Sequence, residues 1–123
     1  MLSKAKPVVW IASSHEDLVN FPTEVKKRIG QAIFAAQLGD KHPDAKVLQG
    51  FGGAGVLEIT EDFDGDTYRG VYTVRFAGVV YVLHCFEKKS KHGIKTPKKE
   101  MDLIRERLRR AEDHYEREWR QGR

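Results

Sequence analysis

The sequence predicts an α+β domain: a small antiparallel sheet, made of an N-terminal strand plus a three-stranded meander, packed against two N-terminal helical segments and followed by a C-terminal helix. Three observations predict it. A β-branched and aromatic run, Val8 to Ala12, precedes residues with helical spacing. Two turn signals, Asp64-Gly65 and Ala77-Gly78, divide the stretch from Val56 to Lys88 into three strand-like runs. After Thr96-Pro97, apolar residues recur at intervals of three and four as far as Tyr115. With 123 residues, 40% hydrophobic and 33% charged, the chain suits a single domain spanning residues 1–123.

Each element has a local reason. Pro7 and Ser13 bound the first strand. Ser13 with Glu16 three residues on has the form of a capping box, opening a short helical stretch, "SHEDLVN". Pro22 restarts the helix, and Val25, Ile29, Ala32, Ile33 and Ala36 give it one apolar stripe until Leu38 and Gly39 stop it. The glycine-rich "DKHPDAKVLQGFGGAG" reads as a loop. It is not a phosphate cradle of the P-loop kind, because it lacks the lysine and runs into the strand-like "VLEITE" rather than a helix. In the middle strand, alternation puts Arg69, Val71, Thr73 and Arg75 on one face; in the last, Val80, Val82, His84, Phe86 and Lys88 share a face. Thr96 fits as N-cap of the final helix, with Pro97 in its first position and Met101, Ile104, Leu108, Ala111 and Tyr115 as its stripe. The "EREWRQGR" tail is expected to fray.

No uninterrupted apolar run exceeds five residues, so a membrane-spanning helix is not expected, and no apolar signal-peptide core follows Met1 to Pro7. The one cysteine, Cys85, forms no internal disulfide and suits a reducing cytoplasm. Five histidines without paired ligand spacing give no metal site, and no cofactor is expected. Charge is divided unevenly. Residues 1–83 carry nine basic and ten acidic groups, net −1, and residues 84–123 carry 13 and eight, net +5. Six of those cations are lysines between positions 88 and 99, a cluster that repels itself unless a polyanion or a solvated surface accommodates it.

The stretch "YRGVYTVRFAGVVYVLHCFEKKSKHGIKTPKKEMDLIRERL" resembles the C-terminal half of the RelE/HigB superfamily, toxins of type II toxin–antitoxin pairs, in particular its HigB-like, phage-derived branch. The likeness rests on a strand arginine at Arg69, on "VYVLHCF" running into Lys88-Lys89, and on "TPKKE" opening the last helix; "KVLQGFGGAGVLEI" resembles that branch's approach to the meander. The resemblance implies a RelE-like fold and an endoribonuclease that cleaves mRNA, commonly on the ribosome, held inactive by an antitoxin of helix-turn-helix type. It equally admits a relative that poisons DNA gyrase, or a binding module that cuts nothing.

Metal-free RNA cleavage needs the phosphate oriented, its growing charge stabilised, one proton removed and another donated. Arg69 and Arg75 are candidates for clamping phosphate, since a guanidinium can hold two oxygens at once. Lys88 and Lys89 are candidates for a base, because crowding of cations favours a neutral amine. His92 is a candidate acid, and Phe86, Lys91, Lys95, Lys98 and Lys99 are candidate RNA contacts. Blander readings stand beside these. Arg75 or Arg69 could pair with Glu58 or Glu61, Phe86 could close the core, and His84 reads as a hydrogen-bonded structural residue. Some superfamily members carry a catalytic tyrosine near the C-terminus, whereas Tyr115 here falls on an apolar stripe, so the base stays open.

Overall fold

The computed structural model describes residues 5–88 and 95–120. Strands β1 (Val8–Trp10), β2 (Lys46–Val47), β3 (Val56–Phe63), β4 (Asp66–Thr73) and β5 (Val80–Lys88) form one sheet in the order β1-β5-β4-β3-β2. The meander β3-β4-β5 is antiparallel as the turn residues predict: Asp64 and Gly65 both take positive φ, 53° and 92°, the geometry of a tight hairpin turn. Two features enlarge the expected sheet and make it mixed. β1 lies parallel to β5, Val8 opposite Val80, and the glycine-rich stretch contributes the short edge strand β2.

Helices cover both faces. α1 (Ser14–Val19) and α2 (Thr23–Gln37) supply one cluster, in which Leu18, Val25, Ile29 and Ala32 meet Ile59, Tyr68, Tyr72, Val80 and Val82. α3 (Lys98–Tyr115) supplies the other, with Ile104 and Ala111 on Val56, Val71, Tyr81 and Leu83. α2 approaches so closely at Gly70 that a Cβ there would lie 2.7 Å from Ile29 Cγ2, which explains a glycine inside a central strand.

A β-bulge decides which side chains face α3. Val71 pairs with His84 and Tyr72 with Val82, leaving Leu83 as the extra residue on β5. The strict alternation expected of β5 therefore breaks. Val80 and Val82 face α2, whereas His84 and Phe86 face α3, because one inserted residue moves everything beyond it to the other side.

Three helix ends also differ from expectation. Ser13 and Glu16 make no capping box; the Ser13 hydroxyl donates to Asp17 Oδ2 at 2.8 Å instead. Thr96 does not cap α3, which begins after Pro97, because its hydroxyl is engaged by the sheet. The tail continues α3 as a π-helical turn, Glu116–Arg120, in which Trp119 stacks parallel to Tyr115 at 6.5 Å. No helix among the described residues is long and apolar enough to cross a membrane.

Candidate nucleic-acid interface

The bulge places Lys88, Phe86 and His84 on the α3 side of the sheet. Arg69 joins them there because it pairs directly with Phe86, as Thr67 does with Lys88. Lys88 Nζ donates to the carbonyl of Lys95 at 3.3 Å, so the end of β5 is tied to the segment that leads into α3. One residue on, Thr96 closes a second tie. Its hydroxyl donates to Glu58 Oε2 at 2.7 Å and accepts from Arg69 Nη1 at 3.3 Å, while the same Nη1 donates to Glu58 Oε1 at 3.0 Å. Sheet and helix thus share one knot, with lysines at 88, 95 and 98 around it.

Arg69 is the strand arginine expected to clamp phosphate, and here it is 5% exposed and ion-paired with Glu58. A buried guanidinium needs such a partner, since its desolvation otherwise costs several kcal/mol, on the order of 3–5 when a buried pair is broken. In this arrangement Arg69 holds the junction rather than presenting itself to solvent. Arg75 does not stand beside it: it lies past the end of β4 and donates through Nη2 to the carbonyl of Phe51. The expected two-arginine clamp is not formed by this pair.

A second polar chain lies under the lysines. Arg107, buried in the stripe of α3, donates through Nη1 to the carbonyl of Leu83 at 3.0 Å and to His84 Nδ1 at 3.1 Å. The Leu83 carbonyl is the one the bulge displaces from the ladder, and Arg107 satisfies it. A guanidinium only donates, so Nδ1 of His84 is a bare acceptor and Nε2 carries the proton, given to Glu100 Oε1 at 2.7 Å. Burial pushes the His84 pKa below its ordinary value; the bond to Glu100 opposes this and the Arg107 charge adds to it. Arg107 also donates through Nη2 to Ser13 Oγ at 3.3 Å, and Ser13 in turn donates to Asp17. Both ring nitrogens of His84 are therefore committed, which fits the structural reading of that histidine.

Phe86 closes the core: it is 7% exposed and one of its faces is covered by the His84 ring, 4.7 Å away and tilted by only 19°. The shallow hollow beside it, about 450 Å³, is bordered among the described residues by Asp17, Glu87 and Glu100 and by the cation Lys99. Lys98 is exposed and bonded to Asp102 at 2.8 Å, one turn along α3. Lys89, Lys91 and His92 lie outside the described residues. Cys85 is buried, and burial holds its thiol up at about 12, which leaves it unreactive. Sequence reasoning missed Glu100 and Arg107 as partners of His84. The signal was there in part: seven residues apart, they lie on one face of the final helix, and that face carries the apolar stripe.

The five-stranded mixed sheet, with two helices on one face and a long C-terminal helix on the other, is of the α+β class that the sequence predicted. The model of the family described as Phage derived protein Gp49-like (DUF891) matches residues 16–109, and the chain belongs to that family. Among solved structures, it is similar to a chain of the toxin–antitoxin complex RelBE2 from Mycobacterium tuberculosis, at 16% identity and a TM-score of 0.45, over 73% of this chain and 98% of that one. A likeness of that level says nothing about chemistry. No curated protein matches the chain in sequence.

Proposed function

We propose that this protein is the toxin half of a toxin–antitoxin pair and that it acts on RNA through the cationic junction between β5 and α3. The observation that carries the reading is the double tie there: Lys88 to the Lys95 carbonyl, and Thr96 to the Arg69–Glu58 pair. These bonds fasten Lys88 and the Lys95–Thr96 backbone to the sheet, so the charges of Lys88 and Lys95 stand together where a polyanion can meet them. Membership of the phage-derived family supports the assignment.

The chemistry is metal-independent endonucleolytic cleavage. The 2′-oxygen attacks its own 3′-phosphorus, the bond to the 5′-oxygen of the next nucleotide breaks, and the products are a 2′,3′-cyclic phosphate and a 5′-hydroxyl. Lys88, Lys89 and Lys91 offset the charge that builds on the phosphoryl oxygens, a lysine removes the 2′ proton, and His92 returns a proton to the leaving oxygen. Arg69 is a positioning residue in this scheme, acting through Glu58 and Thr96. The substrate is mRNA on the ribosome, in the cytoplasm, and the partner that silences the protein is a helix-turn-helix antitoxin.

A second reading is favoured by one observation. Arg69, the residue best suited to steady a phosphorane, is occupied by Glu58, as expected of a relative that binds without cutting. Overproduction in bacteria separates the two. A toxin stops growth, message fragments accumulate, and co-production of the helix-turn-helix protein encoded beside it restores growth. Unimpaired growth with intact messages favours the binding module; arrest with intact messages and a DNA-damage response points to gyrase.

A further inference from the structure

Arg75 left the expected clamp but did not go to a carboxylate. It is exposed, and among the described residues its guanidinium has no acidic partner. Its acceptor, the carbonyl of Phe51, belongs to the glycine loop before β3, and a second arginine meets the same residue from α3: Arg105 lies over the Phe51 ring, its Cζ 5.4 Å from the centroid. Two guanidinium groups from separate elements thus converge on one loop residue, and the carboxylate of Asp102 lies 3.3 Å from Arg105.

The loop adds donors. Gly52 and Gly53 take φ of 70° and 134°, and a Cβ at either would meet nothing within 4 Å, so no neighbouring atom demands their smallness. What the glycines leave is bare backbone: Gly52, Gly53 and Ala54 are exposed residues whose N–H groups have no backbone acceptor among the described residues. Uncovered amides beside two arginines are the donor set that phosphate oxygens recognise.

The geometry points to a second phosphate-contact site, formed by Arg75, Arg105 and the Gly52–Ala54 amides, which holds the backbone of a single-stranded polynucleotide whose other part meets the β5–α3 junction. This inference rests on the RNA reading above. The two regions adjoin along α3, where Asp102 is bonded both to Lys98 at 2.8 Å and to Arg105 at 3.3 Å, so one strand can engage both.

The test measures binding of a labelled single-stranded RNA of about 12 nucleotides across a series of salt concentrations. Four proteins are compared: wild type, Arg75→Ala/Arg105→Ala, Arg75→Lys/Arg105→Lys and Lys88→Ala/Lys95→Ala, each checked for an unchanged melting profile. Removing two phosphate contacts makes the plot of log affinity against log salt shallower by about 1.4, at ~0.7 per contact. The lysine pair keeps the charges and therefore the slope, whereas a merely structural role in fastening Phe51 would make it behave like the alanine pair. An alanine pair with wild-type slope and affinity overturns the inference while the Lys88/Lys95 variant still weakens binding. If the wild type binds no RNA, the inference and the reading beneath it fall together.

Discussion

His84 makes the fold sensitive to acid in a predictable direction. In the folded protein its Nδ1 accepts from Arg107 and its Nε2 donates to Glu100, so a second proton has to enter against a guanidinium and in a site only 7% exposed. Burial accordingly lowers its folded pKa below the unfolded value, about 6.5. The unfolded chain then binds the proton first as pH falls. Stability is full above pH ~6.5 and declines below it, with a slope limited by one proton to about 1.4 kcal/mol per pH unit until the folded pKa is reached. The other titratable groups facing the site, Asp17, Glu87, Glu100 and Arg107, are unchanged in a His84→Gln variant, whose amide can still accept from Arg107 or donate to Glu100. Urea unfolding of both proteins between pH 5 and pH 8, roughly the window in which histidine titrates, isolates the contribution. The wild type is expected to lose stability relative to the variant as pH drops through that window. Parallel curves refute the tautomer and burial argument. A wild type that gains on the variant in acid would mean that protonation creates a net favourable ion pair with Glu100.

Three further outcomes follow from the packing. Gly70→Ala, with its new methyl 2.7 Å from Ile29 Cγ2 and 3.4 Å from Ile59 Cγ2, should lower unfolding free energy by about 1–3 kcal/mol; Ile29→Leu, which lacks that branch, should recover part of the loss in the double variant. Glu58→Ala removes the carboxylate that offsets the charge of buried Arg69 and should cost about 3 kcal/mol, measured by denaturation, with Thr96→Val costing less because the ion pair survives. The Tyr72 hydroxyl is buried and has no hydrogen-bond partner among the described residues, so Tyr72→Phe should leave the melting temperature unchanged or raise it.

Much of this fold was legible because its signals are local. The Asp64-Gly65 turn, the α2 stripe from Val25 to Ala36 and the α3 stripe each depend on residues within one element, and each stands where the spacing puts it. What escaped was non-local. Nothing within "VVYVLHCFEK" announces that Leu83 is an extra residue, because a bulge is defined by the partner strand, and that one residue sends His84 and Phe86 to a different side from Val80 and Val82. The parallel placement of β1 depends likewise on where the chain returns after both helices. Ser13 and Thr96 have the right identities for caps, but each hydroxyl finds a stronger acceptor, Asp17 and Glu58, so the tertiary partner wins over the local motif. The strand arginines show both sides of this. Their residue type suggested anion binding, yet Arg69 is claimed by Glu58, and Arg75 reaches the carbonyl of Phe51, over whose ring Arg105 lies, a convergence that linear spacing does not encode.

Action of the β5–α3 junction on RNA is read out by adding the purified protein to ribosomes translating a defined message and mapping the message ends. New breaks bearing a 2′,3′-cyclic phosphate upstream and a 5′-hydroxyl downstream are expected, and they are lost when Lys88 and Lys95 are replaced by alanine. Full-length message under conditions where the protein is folded and bound would contradict it.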